Sequence, residues 1–221
     1  MTQTVNLTCP VCNHQSTRQV NAAINAKTHP HLKQELLEGK TFLYECEQCG
    51  AQRVINFQML YHDPDQRLLI YLAPGYVNNK EQTLEILDDL KNRQPVSLDN
   101  YHLRIVLSGA ELLEKIQIFD QHFNDYEVEL VKLLTDGIFS KEKSGETVKA
   151  RYFYMDPKSK SAKIMYTTDS QQLLVDFHQS LLDFVKNKFK KELQQPQRGE
   201  FQLVNYTWAI ETVSKDTKKD Q

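Results

Sequence analysis

The sequence predicts an α+β protein, and three observations carry that expectation. Strand-like runs pair into hairpins and mix irregularly with amphipathic helical stretches, without the steady strand–helix–strand rhythm of a parallel sheet. Two C-x-x-C pairs, "CPVC" at 9–12 and "CEQC" at 46–49, use all four cysteines and fall in the first quarter of the chain. The 221 residues are 40% hydrophobic and 25% charged, which suits a globular chain with a core that needs no disulfide staples.

Each element has its own signal. Residues 5–8 and 17–20 read as short strands flanking the first cysteine pair. "THPHLKQELLEGK" (28–40) reads as a helix. Pro30 suits its first turn, Leu32, Leu36 and Leu37 form an apolar stripe, and Gly39 fits the left-handed position past its end. "TFLYEC" leads as a strand into the second pair. "RVINFQMLY" and "RLLIYLA" around "HDPDQ" predict a hairpin over 53–73. A helix over 78–93 carries Leu84, Leu87 and Leu90, and 101–108 reads as a strand. Ser108 and Glu111 form a capping box for the next helix. Asn124-Asp125 opens another, with Val128, Val131, Leu134 and Ile138 on one face.

The charged stretch "SKEKSGE" (140–146) is the linker candidate. It divides the chain into 1–140 and a small α+β region, 141–221. Within the latter, "VKARYFYMD" and "AKIMYTT" predict a second hairpin, and 169–193 one long amphipathic helix. Residues 200–213 read as a final strand and 214–221 as a frayed tail. The expected C-terminal part is thus an antiparallel sheet with one long helix.

The cysteines carry the chemistry. A closed four-thiolate site needs sulfurs converging tetrahedrally at about 2.3 Å from zinc. Each C-x-x-C turn supplies two of them, and the residue after each pair, Asn13 or Gly50, tolerates the left-handed backbone that turns amides back toward sulfur. Pro10 fixes φ early in the first loop and removes an N–H ahead of those amides. This is the logic of a zinc ribbon, with Cys9, Cys12, Cys46 and Cys49 as metal ligands. Thirty-three residues, 13–45, separate the pairs, and the helix at 28–38 accounts for the excess as an insertion between ribbon strands. Iron in a rubredoxin-like site is the alternative ion, since ligand type alone does not exclude it.

A redox reading competes, because C-P-x-C occurs in thioredoxin-like proteins, where the first cysteine caps a helix that lowers its pKa. Here "NHQSTRQV" lacks a helical apolar stripe. Four unligated buried thiols would leave the strict pairing unexplained.

The strings "CPVC", "HPHLKQELLEGKTFLYECEQCG", "MLYHDPDQRLLIYLAPG" and "LRIVLSGAELLEKIQIFDQHFNDYEVELVKLL" together resemble the CpXC family of bacteria and archaea. The likeness covers roughly residues 7–137. It implies that the four cysteines are the family's paired motifs and supplies no activity. One departure is Glu47, where the family pattern favours a second proline.

Other clusters have simpler readings. His62, Asp63 and Asp65 belong to turn chemistry, and His29 and His31 to a helix start. Glu111, Glu114 and Lys115 read as a solvated face, with Glu111 reaching Lys115 at i, i+4. The basic stretch at 186–193 complements a helix C-terminus. Tyr152, Phe153, Tyr154, Tyr166, Tyr206 and Trp208 read as sheet core rather than a base-stacking platform.

No metalloprotease, phosphate-loop, nucleophile-elbow or dinucleotide motif occurs. The net charge of −2 offers no field for nucleic acid or a membrane surface. With no leader-like or membrane-length apolar run, the expected setting is the cytoplasm, where paired cysteines bind metal or do redox work. The expected function is non-catalytic: a structural zinc ribbon supporting a module that recognises a protein or small ligand. The alternative is a thiol redox protein or sensor.

Overall fold

The computed structural model describes residues 2–93, 97–142, 145–193 and 198–217. The chain divides into two compact units. One is Met1–Leu113 with Gln197–Gln202, and the other is Glu114–Pro196 with Leu203–Gln221. The division falls within a helix, whereas the sequence places its linker at 140–146. Of that linker, residues 143–144 lie outside the described residues.

In the first unit, β1 (Thr2–Thr8) and β2 (Gln15–Asn21) form an antiparallel hairpin. Then come β3 (Ala23–Asn25), α1 (Pro30–Leu37) and a single 3-10 turn, Lys40–Phe42. A second, shorter antiparallel hairpin pairs β4 (Leu43–Glu45) with β5 (Gln52–Val54). β6 (Met59–Asp63), β7 (Leu68–Leu72), α2 (Lys80–Asn92) and β8 (His102–Val106) follow. α3 (Gly109–Asp120) begins here and continues into the second unit.

A mixed five-stranded sheet is the body of this unit. Its order is β12-β8-β7-β6-β3, with β12 (Phe201–Gln202) returning from far along the chain to pair with β8. Every residue of β7 is buried, as a central strand covered on both faces requires. The expected hairpin over 53–73 is narrower than read: β5 pairs with β4, and only β6 pairs with β7. Between them Ile55 and Phe57 are buried off the sheet, so the apolar run contains two elements.

α1 ends as its sequence requires. Gly39 stands in the left-handed region at φ 74°, and its N–H donates to the Leu36 carbonyl. Ser108 accepts the Glu111 N–H at 3.2 Å, the N-cap half of the expected capping box, while the Glu111 carboxylate accepts the N–H of Leu107, one residue earlier, at 2.7 Å.

The second unit contains α4 (Asp125–Glu142), β9 (Val148–Met155), β10 (Ala162–Thr168) and β11 (Gln172–Asp176). The strands form an antiparallel meander, β11-β10-β9. α5 (Gln179–Lys188), α6 (Lys190–Leu193) and α7 (Tyr206–Thr217) complete it. Two sequence expectations fail here. The stretch 169–193 is a strand and two helices, because Leu173, Val175 and Phe177 alternate inward while Leu174 is exposed, and β11 pairs with β10. The stretch 200–213 is mostly helix: Asn205 accepts the Trp208 N–H at 3.1 Å as an N-cap, and Ala209 and Thr212 face inward. Tyr206 and Trp208 therefore belong to a helix, not a sheet. Ile138 is exposed and Phe139 is buried in its place. Of the tail, 218–221 lies outside the described residues.

The reading of Glu114 and Lys115 as a solvated face is also overturned. Glu114 is 3% exposed, Lys115 2%, Glu129 1% and Lys132 2%. Lys132 bridges Glu114 at 2.6 Å and Glu129 at 2.8 Å, and Lys115 bridges Glu129 at 3.0 Å and Asp125 at 3.2 Å. Glu114 also accepts the Phe153 N–H at 2.6 Å, which ties α3 to β9. Further along α4, Asp136 accepts the Tyr166 hydroxyl at 2.9 Å and that of Tyr206, and pairs with Arg151.

Burial pushes the Glu114 carboxyl from 4.5 up to about 7; Lys132 opposes the shift and Glu129 adds to it. Burial pulls Lys132 the other way, but Glu114 and Glu129 outweigh it and keep the ammonium charged. The sign follows from linkage. A carboxyl that is harder to ionise when folded stabilises the fold on its acid side, and that contribution is lost as pH rises from about 4.5 through about 7. Unfolding free energy of the wild type, measured relative to Glu114→Gln, is expected to fall across this window by up to about 1.4 kcal/mol per pH unit. A difference independent of pH in denaturant titrations would count against the assignment.

Candidate metal centre

Both cysteine pairs sit at the turns of the two small hairpins. In the first, the Cys9 N–H donates to the His14 carbonyl at 2.9 Å, and the Asn13 N–H donates to the Cys9 carbonyl at 2.9 Å. In the second, Cys46 donates to Ala51 at 3.0 Å and Gly50 donates to Cys46 at 2.8 Å. The loops are the same knuckle made twice. Asn13 (φ 57°) and Gly50 (φ 68°) hold the left-handed position that the sequence requires of them.

The amides converge on sulfur in matching positions. The Cys9 sulfur accepts from the Cys12 and Val11 N–H groups, and the Cys46 sulfur from those of Cys49 and Gln48. The Cys12 and Cys49 sulfurs accept from His14 and Ala51. Pro10 precedes the amides that are used, and Glu47 stands at the same place in the second loop without altering the pattern. These bonds hold the Cys9 thiol below its ordinary pKa, and the amides of Cys49 and Gln48 bring Cys46 down to about 6 against the opposing effect of burial. The His14 amide favours the Cys12 thiolate, but burial and the neighbouring sulfurs push Cys12 up to about 12. A cation among the sulfurs would relieve that mutual repulsion.

The four sulfurs lie within 4.8 Å of one another. Cys9 and Cys49 are 3.6 Å apart, and Cys12 and Cys46 are 3.7 Å apart. The edge of a tetrahedron with Zn–S bonds of about 2.3 Å is about 3.8 Å, whereas a disulfide is about 2.05 Å. All four thiols are free, and the donor set fits a tetrahedral thiophilic ion. Among the described residues, no other group of His, Cys, Asp or Glu forms such a cluster.

Two further contacts join the hairpins. Ser16 Oγ lies 2.7 Å from Tyr44 Oη, and Arg18 donates to the Leu43 carbonyl. Sequence reasoning missed both; the inward positions of β2 and β4 are legible only once their facing is known.

The remaining candidates fall elsewhere. His29 and His31 are exposed at the start of α1, and Thr28 Oγ1 lies 2.7 Å from His29 Nδ1. Asp63 accepts the Gln66 N–H in the turn and pairs with Lys33 of α1, while Asp65 pairs with Lys27 at 2.7 Å. His62 is half-buried, and desolvation lowers its pKa. The first cysteine pair runs into β2, so the helix that would activate a thioredoxin-like thiol is not there.

Fold and site together define an α+β protein with a twin-knuckle, four-cysteine centre capable of holding a metal ion. The chain belongs to the CpXC protein family, whose model matches residues 7–132. Comparison with curated proteins and with solved structures gave no match. No helix among the described residues is long and apolar enough to cross a membrane.

The knuckle geometry makes a prediction. A methyl group at Gly50 would touch nothing within 4 Å, so Gly50→Ala isolates backbone strain. It should destabilise the first unit by about 1–2 kcal/mol, whereas Asn13→Gly should be near neutral. Chemical denaturation of the two variants checks this.

Proposed function

We propose that Cys9, Cys12, Cys46 and Cys49 bind one structural Zn²⁺, and that the protein is a non-catalytic binding module whose ribbon is ordered by that ion. The observation that carries this reading is the mutual spacing of the four sulfurs, 3.6 and 3.7 Å across the knuckles. Four protein ligands close the coordination sphere and leave no open position for substrate, as in structural rather than catalytic zinc sites. The N–H···S bonds offset the double negative charge that four thiolates and one Zn²⁺ would carry. Four reduced thiols suit a reducing compartment such as the cytoplasm. The partner is a protein or small ligand that docks elsewhere on the molecule.

Protein purified without added metal should contain one zinc per chain by elemental analysis. Iron in that measurement would replace zinc with a rubredoxin-type site, and metal-free folded protein would end the reading. Structural zinc contributes on the order of 10 kcal/mol to modules of this kind. Cys46→Ser should therefore give insoluble or unfolded protein rather than a merely weakened binder. A soluble, cooperatively folding Cys9→Ser/Cys46→Ser double variant would argue for a ribbon that needs no ion.

A further inference from the structure

The four sulfurs lie within 4.8 Å of one another but differ in access, and two of the contacts between the knuckles join sulfurs of unlike access. Cys9 and Cys46 are each 1% exposed, Cys12 is half-buried, and Cys49 is open to solvent. The 3.6 Å contact joins Cys49 to Cys9, and the 3.7 Å contact joins Cys12 to Cys46. Each therefore couples an outer sulfur of one knuckle to an inner sulfur of the other.

We propose that the centre is a reversible redox clamp: hydroperoxides enter at Cys49 and convert the four thiolates into two disulfides between the hairpins, Cys9–Cys49 and Cys12–Cys46. This deepens the metal-thiolate reading and rests on it. The Cys49 thiolate attacks a peroxide oxygen and breaks the O–O bond, giving a sulfenic acid and hydroxide or alkoxide. The Cys9 thiolate then attacks the Cys49 sulfur and displaces hydroxide, forming the S–S bond. Two electrons pass from the sulfur pair to one peroxide, and solvent protons neutralise the oxygen products. With two thiolates left, the tetrahedral site is broken and the ion is released. A second peroxide oxidises Cys12 and Cys46 in the same way.

The frame favours this connectivity. The Cys9–Cys49 bond forms before the ion leaves and then joins the hairpins in its place, with Ser16–Tyr44 and Arg18–Leu43 beside it, so Cys12 and Cys46 stay opposed. Each pair then closes by about 1.6 Å to reach disulfide length. Disulfides within a knuckle would instead fold each loop on itself and leave the hairpins unlinked.

The test oxidises metal-loaded full-length protein with hydrogen peroxide. Zinc release is followed with a chromogenic chelator, and disulfides are mapped without reduction. Trypsin leaves Cys9 and Cys12 on one peptide, 1–18, and Cys46 and Cys49 on another, 41–53. The clamp predicts that these two peptides are joined, that fragmentation assigns Cys9–Cys49 and Cys12–Cys46, and that a dithiol with zinc restores the starting state. It also predicts that a small alkylating agent modifies Cys49 first in native protein. Metal content is measured before oxidation. Metal-free protein at that stage refutes the metal site itself. Metal-loaded protein that oxidises within each knuckle, or only to sulfinic acid at Cys49, refutes the clamp and leaves the metal site standing.

Discussion

The meeting of four sulfurs between two small hairpins is the constraint on which the N-terminal architecture depends. The hairpins bring little apolar surface of their own: Leu7 is the fully buried residue of β1, Val20 of β2 and Tyr44 of β4, while β5 has none. A two-stranded hairpin with so small a core is marginal in water. One hydroxyl contact and one guanidinium–carbonyl bond do not replace the missing burial, since each neutral bond contributes only about 1 kcal/mol net. On the zinc reading proposed above, an ion held by the sulfurs supplies the long-range link between segments more than thirty positions apart. The segment inserted between them has an anchor of its own, since β3 pairs with β6 in the five-stranded sheet.

The second unit meets the same problem with different chemistry. α4 turns a charged stripe inward at Asp125, Glu129, Lys132 and Asp136, a helical spacing ordinarily filled by aliphatic residues. Ammonium and carboxylate groups pair there, and the Phe153 amide and the Tyr166 and Tyr206 hydroxyls donate to the same carboxylates. Replacing a buried ion network by apolar residues of equal volume is often neutral or stabilising, so its worth here is best read as specificity. It fixes which strand and which helix face α4, because only those place a donor or acceptor at each charge. Aliphatic packing surrounds the network but does not discriminate in that way: Leu130, Val131, Ile164 and Val185 would tolerate small slides that the charges would not.

What the sequence disclosed, and what it hid, divides along the range of the interaction involved. The knuckles were legible because every requirement is local: two thiols three apart, a left-handed residue next, and amides within the same loop. Gly39 and the Ser108–Glu111 cap were legible for the same reason. Residues 169–193 were not, since Leu173, Leu174, Leu181 and Leu182 fit a helical stripe as well as a strand followed by a helix. Pairing with β10, a tertiary fact, decides the outcome. Residues 200–213 misled in the opposite direction. Tyr206, Thr207 and Trp208 favour strands, yet the Asn205 cap and the inward Ala209 select a helix. Glu114 offered only a local partner to sequence reasoning, whereas its real one, Lys132, is eighteen positions away on another helix.

The two knuckles also separate what their chemistry needs from what it merely uses. Pro10 and Glu47 occupy the same step, one without an N–H and with φ fixed, the other with neither property. Both loops nevertheless aim the second and third amides after the first cysteine at its sulfur. Proline is thus not what turns those amides inward; the left-handed residue at Asn13 or Gly50 and the return bond to the cysteine carbonyl do so in both. Proline's remaining effect lies in the unfolded chain, where it narrows the conformations open to the first loop. The second loop lacks that restriction, and it has glycine rather than asparagine at the strained step, which makes it looser unfolded but unstrained when folded. The two loops reach one geometry by opposite routes, so their equivalence comes from the sulfur-centred geometry they share and not from repetition of sequence.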